Sequence, residues 1–185
     1  MATLRQARGV GAVGSILVLV GAVTNAVVLD IAGLILILVA VKFIGEIAKD
    51  RELYGNMALA VALAIIGAVI GFALVFGGLL YFAGSISTSA SISDLFASFS
   101  SLIGRILLGL FMAWIFFLLS SVLVKKCYDS IATELGEDLF SMTGKLFLIG
   151  AALTIVVGVG LFIVLVASAL QIAAFLSLPD EKLAR

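Results

Sequence analysis

The sequence predicts an all-α fold, a polytopic helical membrane protein with about six transmembrane segments arranged as three hairpins, or five if the last two are one helix. Three observations carry that reading. Of 185 residues, 64% are hydrophobic and 12% charged, where a soluble domain holds about half and about a quarter; the mean hydropathy is +1.36. The charges gather into short clusters, separated by uncharged runs close to the roughly 20 residues that cross a hydrocarbon core of about 30 Å. Pro179, the single proline, lies near the C-terminus, so the apolar runs carry no proline kinks.

The first segment is expected over 4–24 and the second over 27–48, because only Asp30 is charged between Gly9 and Val41 and "TNA" at Thr24–Ala26 supplies a polar break. Arg5 and Arg8 can snorkel from the start of the first segment to the headgroups. Two arginines before an apolar run also resemble a secretory leader, but a second apolar run follows at once, and a hairpin accounts for both. The cluster "KFIGEIAKDRELYGN" then leads into a third segment over 57–82, with Tyr54 at one end and Tyr81 and Phe82 at the other, where aromatic rings favour the interfaces.

A serine-rich stretch follows, in which Leu95, Phe96, Phe99, Leu102 and Ile103 recur at helical spacing. It predicts an interfacial segment at 93–101 lying on the membrane. The fourth segment is expected over 102–124, with Arg105 near its outer end. Beyond Lys125 and Lys126, the spacing of Tyr128, Ile131, Leu135, Leu139 and Met142 is broken at Gly136. The fourth helix should therefore run on into solvent and stop near Gly136, with a new helix whose first turn holds Glu137 and Asp138, where the helix dipole favours them.

No charge lies between Lys145 and Asp180. A single helix over that run would be about 50 Å long, well beyond the core thickness. The preferred reading turns it near "VGVG", Val157–Gly160, into segments 139–157 and 160–178, and "GAALTIVVGVGLFIVL" from Gly150 then faintly repeats "GSILVLVGAVTNAVVL" from Gly14. Each half is short for a full span, which is the argument for one long helix instead. The whole chain, 1–185, reads as a single integral membrane domain.

With six segments, Arg5, Arg8, Lys42, Lys49, Arg51, Lys125, Lys126, Lys145, Lys182 and Arg185 fall on one side and Arg105 on the other. Basic residues favour the cytoplasmic side, which places both termini and the stretch from Lys125 in the cytoplasm of a multi-pass cell-membrane protein. The alternative of five segments moves Lys182 and Arg185 outside without reversing the bias.

Eleven basic and eleven acidic residues cancel, and no aromatic residues interleave with a basic patch, so nucleic acid is not an expected partner. The absence of histidine, with one cysteine, Cys127, removes the side chains that most zinc, haem and general-base chemistries use. "GVGAVG", Gly9–Gly14, is a literal G-x-G-x-x-G, yet no strand precedes it and it opens a membrane helix, so it reads as close packing rather than nucleotide binding. Asp30, Lys42, Glu46 and Arg105 all map to helix ends, which argues against an ion-coupled pump needing a charge at midplane. A divalent-cation site would require Asp50, Glu52, Glu134, Glu137 and Asp138 to converge, and a solvated face explains them more simply. No catalytic residue, cofactor or metal is expected.

The residues singled out are for helix packing. Ala60, Ala64, Gly67 and Gly71 share one face of the third segment, and Gly67 and Gly71 form a small-xxx-small pair that lets another helix approach. Phe111, Trp114 and Leu118 offer complementary bulk on the fourth, with Trp114 too deep for an interfacial belt.

"KKCYDSIATELGEDLFSMTGKLFLIGAALTIV", the tail "AAFLSLPDEKL" and the start "GSILVLVG" with "AGLILILVAVKFIGEIAKD" resemble the archaeal multi-spanning membrane proteins grouped as domain of unknown function 996. The resemblance is looser between Met57 and Arg105. It implies an archaeal cell membrane and several helices, and it carries over no functional residues. The reading from the residues is a structural or interaction subunit of a membrane assembly, whose partners are the lipid bilayer and a second copy or another membrane subunit. The alternative is a passive channel or facilitator for a small neutral solute, and an enzyme is not expected.

Overall fold

The computed structural model describes residues 3–24, 26–88, 91–155 and 159–179, with side chains left aside at 87 and 88. Among the described residues the chain is helical without strands: α1 (Leu4–Thr24), α2 (Val27–Ala48), α3 (Arg51–Thr88), α4 (Ile92–Leu135), α5 (Asp138–Leu153) and α6 (Val159–Leu176). Five of these, all but the 16-residue α5, are long and apolar enough to cross a membrane.

The ends of the helices follow from local chemistry. Thr3 and Gln6 cap α1 reciprocally, each side-chain oxygen accepting the other's backbone N–H at 3.2 Å. Lys49 ends α2 in the left-handed conformation, with φ 58°, and the N–H of Asp50 donates back to the Gly45 carbonyl at 3.0 Å. A Cβ on Gly45 would stand 2.9 Å from the Asp50 carbonyl oxygen, so glycine is what lets that turn close. Asp50 then opens the next helix at once, its Oδ1 accepting the Glu52 N–H at 2.8 Å. This cap is why α3 starts at Arg51 rather than at the expected residue 57.

The fourth helix also differs from expectation. The interfacial segment 93–101 and the segment 102–124 are parts of one helix with no break at Leu102. Ser91 caps it, accepting the Asp94 N–H at 3.3 Å and donating to Asp94 Oδ2 at 2.7 Å. No proline interrupts the run, and the helix ends where Gly136 takes φ +70° and the Glu137 N–H reaches the Ala132 carbonyl at 3.2 Å. The expected stop at Gly136 is therefore where the helix ends. After it, α5 and α6 are separate helices packed along one another, rather than one long helix. The predicted turn begins at Val157 and Gly158, which lie outside the described residues, whereas Val159 and Gly160 belong to α6.

The chain divides into two compact units, one formed by Met1–Val61 with Leu118–Arg185 and the other by Ala62–Phe117. In the first, α1 packs along both α2 and α6. The α1–α2 seam closes over glycines: a Cβ on Gly33 would lie 2.6 Å from the Gly14 carbonyl oxygen, and one on Gly14 2.8 Å from that of Gly33. The core of this unit includes Leu4, Ile37, Ile44, Leu53, Tyr128, Ile131, Phe140 and Phe175, all nearly or fully buried.

In the second unit, α3 and α4 residues meet at small side chains. A Cβ on Gly71 would lie 2.9 Å from Ala113 Cβ, and one on Gly109 3.0 Å from the Gly71 carbonyl oxygen. Gly67 faces Phe116. The Arg105 guanidinium lies over the Tyr81 ring, 4.4 Å from its centroid, a cation–π contact that suits an arginine close to an apolar span. Gly67→Leu is expected to lower stability in detergent by about 2–3 kcal/mol through overpacking, while Val69→Leu, on a face that is 61% exposed, stays within about 0.5 kcal/mol. Thermal melts of the two variants check this, and equal shifts would remove Gly67 from the packing argument.

Candidate functional site

The polar and basic residues of the first unit gather where α2 gives way to α3 and α4 to α5. Asp129, on α4, is the hub of the second junction. Its Oδ2 accepts from Lys125 Nζ at 2.6 Å and its Oδ1 from the Ser141 hydroxyl at 2.7 Å, so one carboxylate joins α4 to α5. Partial burial alone would raise its pKa, but the hydrogen bonds from Lys125 and Ser141 and the charges of Lys125 and Lys145 outweigh that and hold it below the usual carboxylate range. Asp129 therefore stays ionised at neutral pH, and its ion pair is partly solvated.

Beneath this junction three rings interlock. Tyr128 meets Phe140 edge-on with centroids 5.6 Å apart, and Phe140 meets Phe175 at 5.3 Å and 90°. The Phe175 ring lies against Gly11, where a Cβ would collide with it. The rings thus tie α1, α4, α5 and α6 together in one apolar plug, with edge-to-face geometry that the ring quadrupoles favour. The Tyr128 hydroxyl is buried and makes no well-formed hydrogen bond among the described residues. Burial, and then Cys127, push its pKa up, opposed by the nearby Gln171 amide.

Cys127 is fully buried, and its thiol donates to the Leu53 carbonyl with Sγ 3.5 Å from the oxygen. Burial and the Asp50 charge push its pKa up to about 12, the opposite of what a nucleophilic thiol requires. It serves as a small packing residue between α3 and α4.

Two clefts open at this polar end. One, of about 640 Å³, is lined by Lys42, Gly45, Glu46, Lys49, Asp50, Arg51 and Tyr54. The second, of about 530 Å³, shares Asp50 and adds Lys125, Lys126, Asp129, Ser130, Thr133 and Glu134. Of the acidic residues considered in the sequence for a divalent cation, Asp50 and Glu134 share a cleft, and no group of three such ligands converges among the described residues.

The packing residues chosen from sequence separate. Gly67 and Gly71 lie buried in the second unit, Ala64 is partly exposed there, and Ala60 is fully buried in the first unit. Phe111 and Trp114 pair with each other, centroids 5.9 Å apart, and Phe111 is half exposed; the α4 residues that face the two glycines are Gly109, Ala113 and Phe116. The spacing of Gly109, Ala113 and Phe116, four then three, was a readable signal for that face. The Tyr128–Phe140–Phe175 plug had no such signal, because its third ring comes from a separate apolar run.

Three comparisons bear on kinship. A family model described as "Protein of unknown function (DUF996)" matches residues 29–169. The chain is also similar to the uncharacterized protein MJ1644 of Methanocaldococcus jannaschii, with 31% identity over 178 residues, covering 96% of this chain and 94% of that protein. No solved structure matches.

Proposed function

The chain belongs to the family described as Protein of unknown function (DUF996), and we propose that it acts as a non-catalytic structural or interaction subunit of a membrane assembly. In this reading it is a multi-pass protein of the cell membrane with its basic end in the cytoplasm, on the strength of the basic-residue bias. It associates with a second copy or with another membrane subunit.

The observation that carries this reading is where the hydroxyls of the apolar helices point. Ser15 donates to the Gly11 carbonyl at 2.8 Å, Thr154 to that of Gly150 at 2.7 Å, Ser168 to that of Val164 at 2.9 Å and Ser121 to that of Leu118 at 2.8 Å. Each is spent on its own helix. A lumen for a polar solute needs such groups turned towards a common path, whereas these are used to make the helix surfaces dry for packing.

The test is the mass of the purified full chain in a mild detergent and in native lipid discs, with co-purifying proteins identified. A stoichiometric companion or a discrete oligomer that carries no solute in liposomes supports the reading. Solute flux in liposomes, abolished when the oligomer is dispersed, would replace it with the facilitator.

A further inference from the structure

We propose that the cleft between the end of α2 and the start of α3 binds the phosphate headgroup of an anionic membrane lipid. The proposal rests on membrane placement alone and not on what the chain assembles with.

Lys42, Lys49 and Arg51 line this cleft. Among the described residues, none of the three forms an ion pair, whereas Lys125 in the neighbouring cleft is held by Asp129. Two carboxylates share the cleft with the three cations. Glu46 and Asp50, whose Oδ1 also caps α3, offset two of the three, so the lining keeps one net positive charge. Unpaired ammonium and guanidinium groups beside a cavity of about 640 Å³ suit phosphate oxygens, and the Arg51 fork can hold two of them.

The helical face on which those cations stand favours a lipid over a free anion. Along α2, the exposed residues Ile31, Ile35, Lys42 and Glu46 follow one another at spacings of four, seven and four, so they occupy a single stripe, and Lys49 stands just past its end. Ile31 and Ile35 are 53% and 55% exposed. An amphiphile lying on that stripe would lay its acyl chain over the isoleucines and bring its phosphate to Lys42, about two turns beyond Ile35, with Lys49 about two turns further on at the cleft's other end. Tyr54, 44% exposed at the rim of the cleft, supplies the amphipathic ring that marks headgroup depth. Basic pockets at the ends of membrane helices bind lipid phosphates through this combination of charge and depth.

The experiment is native mass spectrometry of the delipidated full chain titrated with dioleoyl-phosphatidylglycerol, with dioleoyl-phosphatidylcholine and inorganic phosphate as separate arms read by thermal melting. The expected result is one tightly held anionic lipid per chain. Lys42→Gln with Arg51→Gln should weaken it on the order of twenty-fold, while Lys126→Gln with Lys145→Gln, which removes the same charge elsewhere, changes it less than about threefold. Equal losses in the two double variants would overturn the site in favour of a general surface field. Stabilisation by millimolar inorganic phosphate equal to that by the lipid would overturn the lipid as its ligand. Should the first double variant fail to fold, Lys42→Gln compared with Lys126→Gln gives the same contrast, roughly fivefold against none.

Discussion

Phe140→Ala should cost about 3–5 kcal/mol, the range for emptying a large aromatic site in a packed core. Phe140 is fully buried and is the middle ring of three, with its edge contacts to Tyr128 and Phe175 both lost on truncation. The rings on either side come from α4 and α6, and Phe175 also packs on Gly11 of α1, so collapse into the vacated space would have to move several helices at once. That is the situation in which a cavity relaxes least and costs most. Phe162→Ala on α6, where the ring is 68% exposed, is the control and should change stability by no more than about 0.5 kcal/mol. Unfolding in mixed micelles, followed by near-ultraviolet circular dichroism, measures both. Equal losses would show that the plug contributes no more than a lipid-facing ring.

Gly33→Leu should cost about 3 kcal/mol or more, at the upper end of overpacking, because what a side chain would meet there is backbone. Its Cβ would come within 2.6 Å of the Gly14 carbonyl oxygen and 2.8 Å of the Val18 nitrogen, neither of which can rotate away as a side chain tip can. Inside a bilayer, lipid solvates leucine as well as a neighbouring helix does, so close backbone approach is a large share of what holds α1 to α2. The reciprocal variant Gly14→Leu meets the Gly33 carbonyl oxygen at 2.8 Å and should behave alike. Ile31→Leu, on the exposed face of α2, should be near neutral. Thermal melts with a crosslinking readout between α1 and α2 distinguish loss of the seam from general loosening; an unchanged crosslink in Gly33→Leu would mean that the seam is not where these helices are held.

Much of the architecture was legible because hydrophobic length and charge position are one-dimensional signals. The ranges 4–24 and 27–48 agree with α1 and α2 to the residue, since a single polar break separates them. Gly136 was readable as a helix end because a glycine interrupts an otherwise continuous period. The start of α3 was misplaced by six residues because Asp50, which looks like one more charge in a polar cluster, is its cap. The boundary expected at Leu102 failed for a related reason: the serine-rich stretch looked unlike the apolar run after it, yet backbone hydrogen bonding continues through a change in polarity when no breaker intervenes.

Composition along a line was enough to establish that the chain is helical and apolar enough for a membrane and where its charge collects, but it favoured six spans, whereas among the described residues five helices are long and apolar enough to cross. Which small residues meet depended on the packed fold, which pairs Gly14 with Gly33 and sets Gly71 against Gly109 and Ala113. The same packing placed Phe175 on the ring of Phe140, which also meets Tyr128, and separated the cations of one cleft, unpaired among the described residues, from the neutralised lysine of the next. In a chain this apolar nearly every face can be buried, so burial preference does not select partners; steric fit and the geometry of a few polar groups do, and both exist only once helices are side by side.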